Sequence, residues 1–273
     1  MTLPFAVPAL GCLLAAALFG ASTPVAKALL DGIGPVTLAG LFYAGAALAT
    51  APSASRQPWS RGELPRLVGA CLFGGVLGPI LVMLGLRLAP AGSVALWLNL
   101  EAPATALLGW AFFKEHIGAR TWAAAGLTWL ASVLLAGPSG VAGWQAAGLV
   151  ALGCFCWGLD NNLTAVISSY TPAQTTFVKG VVAATVNLAL GVALEGVPAA
   201  GAGIAGAIAV GTLAYGASIV LYVAGAQQLG ATRAQMIFAT APFWGVVLAW
   251  VREPVLLAQI GAGALMAAGL ALV

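Results

Sequence analysis

Few residues in this chain of 273 can do chemistry, and those that can lie inside apolar stretches. Glu101 sits near the middle of one such stretch and Asp160 inside another. A carboxylate at that depth costs about 2.5–3.5 kcal/mol on insertion scales, so it faces water, is paired, or is protonated. Two readings of Glu101 stand: a carboxylate that binds an amine or carries a proton, or a structural one bonded to a neighbouring helix. The same pair of readings holds for Asp160, whose neighbours Asn161 and Asn162 could satisfy it. Covalent chemistry finds little support. No nucleophile–base pair stands out, and the single His116 follows Lys114-Glu115 at an expected helix end. Cys12, Cys71, Cys154 and Cys156 lack zinc spacing and read as small hydrophobes. The chain is therefore expected to bind rather than catalyse, with no metal or cofactor.

Helical spacing gathers the polar residues into stripes. Phe19, Ser22, Thr23 and Ala26 share one face, with Lys27 beside it. Trp157, Asp160, Asn161 and Thr164 repeat that pattern, an aromatic followed by polar groups at the same offsets. Trp97, Glu101 and Thr105 form a third stripe, with Asn99 nearby. Lipid penalises such stripes, so they are expected to face the interior. Candidate substrate contacts are Ser22, Thr23, Trp97, Asn99, Glu101, Trp157, Asp160, Asn161 and Tyr215. Pro24 and the Asn161-Asn162 pair are expected to mark irregular backbone. Lys179 is expected to snorkel to the interface, and Lys27 either does so or joins the stripe. Trp59, Trp122 and Trp144 read as interfacial anchors, whereas Trp97, Trp157, Tyr215 and Trp244 lie deeper.

The elements holding these residues follow from composition. Hydrophobic residues make up 62% of the chain, charged ones 6%, and mean hydropathy is +1.04. Soluble domains carry about 25% charged residues. Lipid must be the solvent, and the long Ala-, Leu- and Gly-rich runs do not alternate as barrel strands do. The reading is an all-α membrane protein with ten transmembrane helices. They are expected near 7–29, 35–51, 66–86, 91–112, 119–137, 144–167, 173–194, 200–222, 232–250 and 255–273. No Lys or Arg precedes Lys27, so the first is read as a retained helix rather than a signal peptide.

The chain also repeats. Phe19-Gly20 returns as Trp157-Gly158, and Gly85…Pro103…Lys114-Glu115 returns as Gly225…Pro242…Arg252-Glu253. Two repeats are expected, 1–138 and 139–273. Five helices each is an odd number, so the second must enter the membrane inverted, a transporter signature. Counting basic loop residues places both termini in the cytoplasm. The pI near 8.8 then reflects topology, not nucleic-acid binding. Gly74-x-x-x-Gly78 permits close packing, and the following Pro79 reads as a hinge.

These features together resemble the EamA-type branch of the drug/metabolite transporter superfamily, and look most like bacterial amino-acid exporters of the YddG type. The resemblance implies a central cavity between the halves and gating by helices three, four, eight and nine. Here those carry Gly78-Pro79, Trp97–Glu101, Tyr215–Tyr222 and Phe238–Trp244. Pro24, Gly78, Pro79, Phe238 and Pro242 are the hinge candidates. The expected function is export of aromatic and other neutral amino acids by alternating access, by a monomer in the bacterial inner membrane. The alternative is proton-coupled efflux of aromatic cations or drugs.

Overall fold

Long runs of Ala, Leu and Gly give a lipid-solvated backbone few ways to satisfy its polar groups, and this chain takes the helical one. The structure, a computed structural model, describes residues 3–53, 60–136, 140–199 and 201–272. All regular elements among them are helical. The first half holds α1 (Leu3–Gly20), α2 (Ser22–Leu29), α3 (Pro35–Thr50), α4 (Leu64–Gly69), α5 (Gly78–Leu88), α6 (Ala91–Trp97), α7 (Glu101–Phe113) and α8 (Ala119–Ala136). The second holds α9 (Gly140–Ala165), α10 (Pro172–Glu195), α11 (Ala202–Val210), α12 (Ser218–Leu229), α13 (Ala231–Phe238), α14 (Ala241–Ala249) and α15 (Leu257–Ala271). Among the described residues, five helical stretches are long and apolar enough to cross a membrane: Ala6–Leu29, Pro35–Ser53, Leu64–Leu88, Pro172–Glu195 and Gly203–Leu229. Trp59, expected as an anchor, lies outside the described residues.

The surface is the reverse of a soluble protein's. Leu10, Leu14, Leu48 and Val68 are exposed, while Glu101, Asp160, Lys179 and Asn187 are buried. Apolar surface of this extent marks contact with lipid. Trp110 and Trp122 pack edge to face near the α7–α8 turn, 5.9 Å between ring centres.

The halves pack on one another through matching elements. The α3 helix packs on α10, α6 on α14 and α8 on α15. The α5–α9 and α1–α12 contacts are each other's counterparts across the repeat. Glutamates at helix ends bind this arrangement. Glu195, at the end of α10, accepts hydrogen bonds from the Val36 and Thr37 amides, both 2.9 Å, at the start of α3. Reciprocally, Glu63 accepts from the Ser168 and Ser169 amides just ahead of α10, at 2.9 and 3.0 Å. Glu253, beyond α14, accepts from the Ala91 and Gly92 amides opening α6, at 2.7 and 3.0 Å. Glu115, beyond α7, accepts from Thr232 Oγ1 in the first turn of α13 at 2.6 Å. Each carboxylate thus meets groups at or near a helix start, where spare amides and the helix dipole favour negative charge.

Several helices are interrupted, mostly at counterpart positions. Between α4 and α5 the backbone forms a π-helix, Ala70–Leu77, and between α11 and α12 another, Gly211–Ala217. Pro79 explains part of the first. It has no N–H to offer the carbonyl four residues back, and the Gly75 carbonyl accepts instead from Asn187 Nδ2 at 3.1 Å. The fourth stretch tightens at Leu98–Leu100 before Pro103, and its counterpart breaks at Ala239–Thr240 before Pro242. The first stretch breaks at Ala21, ahead of Pro24. One expectation fails: α9 runs unbroken through Asn161-Asn162. The Asn162 side chain explains why, since its Nδ2 bonds the Gly158 carbonyl in its own helix at 2.8 Å and the Thr105 carbonyl at 2.9 Å, bracing the helix from outside.

Candidate functional site

A cavity lies at the centre of the bundle, where the halves meet. Its apolar wall is aromatic: Phe19, Tyr43, Trp157, Tyr215, Tyr222 and Phe238. Phe19 is the hub, with Trp157, Tyr215 and Phe238 ring centres at 5.7, 5.5 and 5.4 Å. Tyr215 rides on the second π-helix, where the altered backbone carries it against Tyr43 and Phe42. The first π-helix supplies the Gly74 carbonyl, which accepts from Tyr43 Oη at 2.6 Å and Trp157 Nε1 at 3.1 Å. Two rings of the wall are thereby fixed by one backbone oxygen. The free volume is about 40 Å³, room for about three waters. An organic solute needs it wider.

The polar wall holds three ionisable groups. Lys179 Nζ lies 2.6 Å from Asp160 Oδ2, a buried ion pair between α9 and α10. The expectation that Lys179 snorkels outward is thus corrected: 2% exposed, it turns inward because Asp160 faces it across the helix contact. The asparagines beside Asp160 do not serve it. Asn161 Nδ2 lies 2.8 Å from Glu101 Oε1, 3.1 Å from Thr105 Oγ1 and 3.2 Å from Gln235 Oε1, tying α7, α9 and α13 together. Glu101 is therefore held by a neutral donor and Asp160 by a cation, so the two carboxylates occupy different electrostatic settings. Asp160 Oδ1 and Tyr222 Oη are buried with no hydrogen-bond partner.

Of the residues selected from the sequence, Glu101, Trp157, Asp160, Asn161, Tyr215 and Phe238 line this cavity. Others lie elsewhere. Trp97 is fully buried in helix packing and donates to the Ser132 carbonyl at 3.2 Å. Asn99 faces a separate small pocket with Met266, whose sulfur lies 3.3 Å from its Nδ2. Ser22, opening α2, donates to Phe19 O in α1 across the Ala21 break, and Thr23 is buried beside it. Trp244, read as deep, is 54% exposed on the outer face of α14. Lys27 bonds the Leu86 and Ala89 carbonyls at 2.8 and 3.0 Å, capping α5. The hinge candidates Pro24, Gly78, Pro79 and Pro242 stand at the helix interruptions. Tyr43, Tyr222 and Gln235 were missed. Tyr43 has no polar residue three or four positions away. Tyr215, Ser218 and Tyr222 fall at i, i+3 and i+7, however, and Thr232 stands three residues before Gln235, signals that could have found the other two.

A membrane-embedded, multi-pass helical protein with a central cavity between two similar halves has the form of a transporter. The family comparison agrees: the model of the EamA-like transporter family matches residues 7–137 and again 144–273. The chain belongs to that family, which points to a transporter of the drug/metabolite type rather than an enzyme. A solved crystal structure, described only as "Crystal structure of protein", is 18% identical. The match covers 98% of this chain and 96% of that one, with a TM-score of 0.72. That likeness shows a shared fold. The search of curated proteins gave no match.

Proposed function

We propose that this protein exports amino acids, aromatic and other neutral ones, by alternating access through the central cavity. The carrying observation is that cavity's lining: an aromatic wall facing a buried carboxylate–ammonium pair. Aromatic rings suit a large neutral side chain, and paired opposite charges suit a zwitterionic head. The reading places the chain closest to the YddG-type exporters, as a monomer in a bacterial inner membrane with both termini cytoplasmic. It has ten spans in two inverted five-helix repeats. The glutamates at the helix ends support the inversion. Glu253 follows α14 and meets the start of α6, while Glu115 follows α7 and meets the start of α13, so the fourth and ninth stretches run antiparallel.

One observation favours a second reading, proton-coupled efflux of aromatic cations. Glu101 is a further buried carboxylate beside the rings, and cations bind aromatic faces.

Counterflow in proteoliposomes separates the two. Labelled amino acids, an aromatic cation and a nucleotide sugar are offered to liposomes preloaded with the same unlabelled solute. Accumulation of amino acids alone is the expected result. Accumulation of the cation alone, lost in Glu101→Gln, establishes the second reading instead, and silence throughout with folded protein removes both.

A further inference from the structure

We propose that Asp160 and Lys179 form the subsite for the two charges of an α-amino acid and hold each other while the site is empty. This rests on the amino-acid reading above and names the atoms that recognise the substrate.

Stability alone is a weak reason to keep this pair. Buried ion pairs recover little beyond their desolvation cost, and well-packed apolar residues often replace them without loss. The geometry shows what the pair leaves undone. Asp160 uses one oxygen, Oδ2, on Lys179. Its other oxygen, Oδ1, is buried with no partner, and so is Tyr222 Oη. Asp160 and Tyr222 are each 6% exposed, and both line the central cavity. Buried polar atoms without partners are rare, and each asks for an explanation. Here one is an acceptor with full negative character and the other a hydroxyl able to donate. The Lys179 ammonium has three protons and gives one hydrogen bond, to Asp160. Acceptor capacity and donor capacity are therefore both in surplus at one cavity wall. An ammonium completes the first and a carboxylate the second, and a zwitterionic amino acid carries both.

Neighbouring backbone lets the pair sit so close. A Cβ on Gly74 would overlap the Asp160 carboxylate, and one on Gly75 would touch the Lys179 stem. The Gly74 carbonyl is occupied by Tyr43 and Trp157, so it does not compete for the lysine. The rings of Phe19, Tyr215 and Phe238 line the same cavity, where the substrate side chain would lie.

Charge then balances in every state. When the zwitterion inserts, one internal pair becomes two intermolecular pairs. When it leaves, Asp160 and Lys179 close on each other again, and the empty protein reorients with no unpaired charge in its core. Selectivity follows from the same accounting. An amine without a carboxylate leaves Lys179 unpaired, and a carboxylate without an amine leaves Asp160 unpaired.

The test uses phenylalanine, 2-phenylethylamine and 3-phenylpropionate, which share a ring and differ in charge. Counterflow is measured for wild type, Lys179→Met, Asp160→Asn and the double variant Asp160→Asn/Lys179→Gln, with folding checked by gel filtration and thermal unfolding. Wild type should carry phenylalanine alone. Lys179→Met should lose phenylalanine by at least about 30-fold and gain phenylethylamine, while Asp160→Asn should gain phenylpropionate. A single variant with a lone buried charge can fail to fold. The neutral double variant then decides, and folded protein with phenylalanine down by about 30-fold or more supports the subsite. Folded variants that keep wild-type phenylalanine transport overturn the subsite and leave the amino-acid reading standing. Wild type that carries no amino acid overturns both.

Discussion

Phe19 and Trp157 occupy equivalent points of the two halves and pack edge to face on each other, ring centres 5.7 Å apart. The repeat that is visible as two aromatic-Gly pairs in the sequence thus closes on itself at the middle of the bundle. Trp157 contributes its ring to this contact and its Nε1 to the Gly74 carbonyl. The two contributions are separable. Trp157→Phe keeps the ring and removes the hydrogen bond, but Tyr43 still donates to Gly74, so the loss should be about 0.5–1.5 kcal/mol. Trp157→Ala removes the ring as well and should cost about 3–5 kcal/mol. Thermal unfolding in detergent measures both. Equal losses would mean that the ring contact contributes nothing.

The Asn187 side chain stands in for the amide proton that Pro79 lacks. Asn187→Leu should leave the Gly75 carbonyl unsatisfied in the core, at a cost of about 1–3 kcal/mol. Pro79→Ala restores an N–H that can bond Gly75 directly. The Asn187→Leu loss should therefore shrink when Pro79→Ala is already present. A double-mutant cycle on unfolding temperature reads this coupling, and strict additivity would show that the proline and the asparagine act independently.

The parts of this fold legible in the sequence are those written in local order. Apolar runs place the helices, and Pro24, Pro79 and Pro242 announce the interruptions, because a missing amide proton acts within its own helix. Spacing also brought Trp157, Asp160 and Asn161 onto one face. Periodicity gives a face, though, and not what the face meets. Trp97 and Trp157 look alike in sequence, yet one is locked into helix packing and the other lines the cavity. Asp160 and Lys179 stand 19 residues apart on separate helices, and their pairing depends on how α9 and α10 rotate against each other. Tyr43 reaches the site by the same tertiary route, with no polar residue three or four positions away to mark it, whereas Tyr222 shares helical spacing with Ser218 and Tyr215.

Glu63 predicts a pH dependence outside the membrane-spanning stretches. Burial disfavours its charge, but the Ser168 and Ser169 amides and the Ser168 hydroxyl outweigh that and hold its carboxyl below the usual carboxylate range. A lowered folded-state value means that the stabilisation is complete above the unfolded value, about 4.3. It is lost as pH falls through the folded value. Wild type should accordingly be more heat-stable than Glu63→Gln at pH 6, and the gap should close as the pH drops below about 4. A gap that stays constant from pH 6 to pH 3 would show that the carboxylate charge is irrelevant to this loop contact.

Glu253 and Glu115 set the last expectation, because they sit at opposite ends of the same antiparallel helix pair. The stretch from Ala91 to Phe113 spans about 33 Å at 1.5 Å per residue, so one carboxylate contact lies near each end. At the Glu253 end the contact is strong: two backbone amides bond the carboxylate, and Lys27 caps the same turn from the α5 side. At the Glu115 end one hydroxyl serves, and a cleft of about 610 Å³ indents the surface beside His116 and Arg233. If the protein works by the proposed alternating access, opening the cavity to one side requires one of these contacts to part while the other holds. Glu253→Gln weakens the stronger contact and should raise exposure of the cavity towards that end. Glu115→Gln should raise exposure towards the other. The readout is the rate at which a membrane-impermeant maleimide labels Ile219→Cys, a position lining the cavity, applied from each side of oriented vesicles, with Cys12, Cys71, Cys154 and Cys156 replaced by alanine. Each variant should change labelling from one side by about 3- to 10-fold, a shift of about 0.6–1.4 kcal/mol in the balance between the two openings. Parallel changes from both sides would mean that the carboxylates merely hold the bundle together.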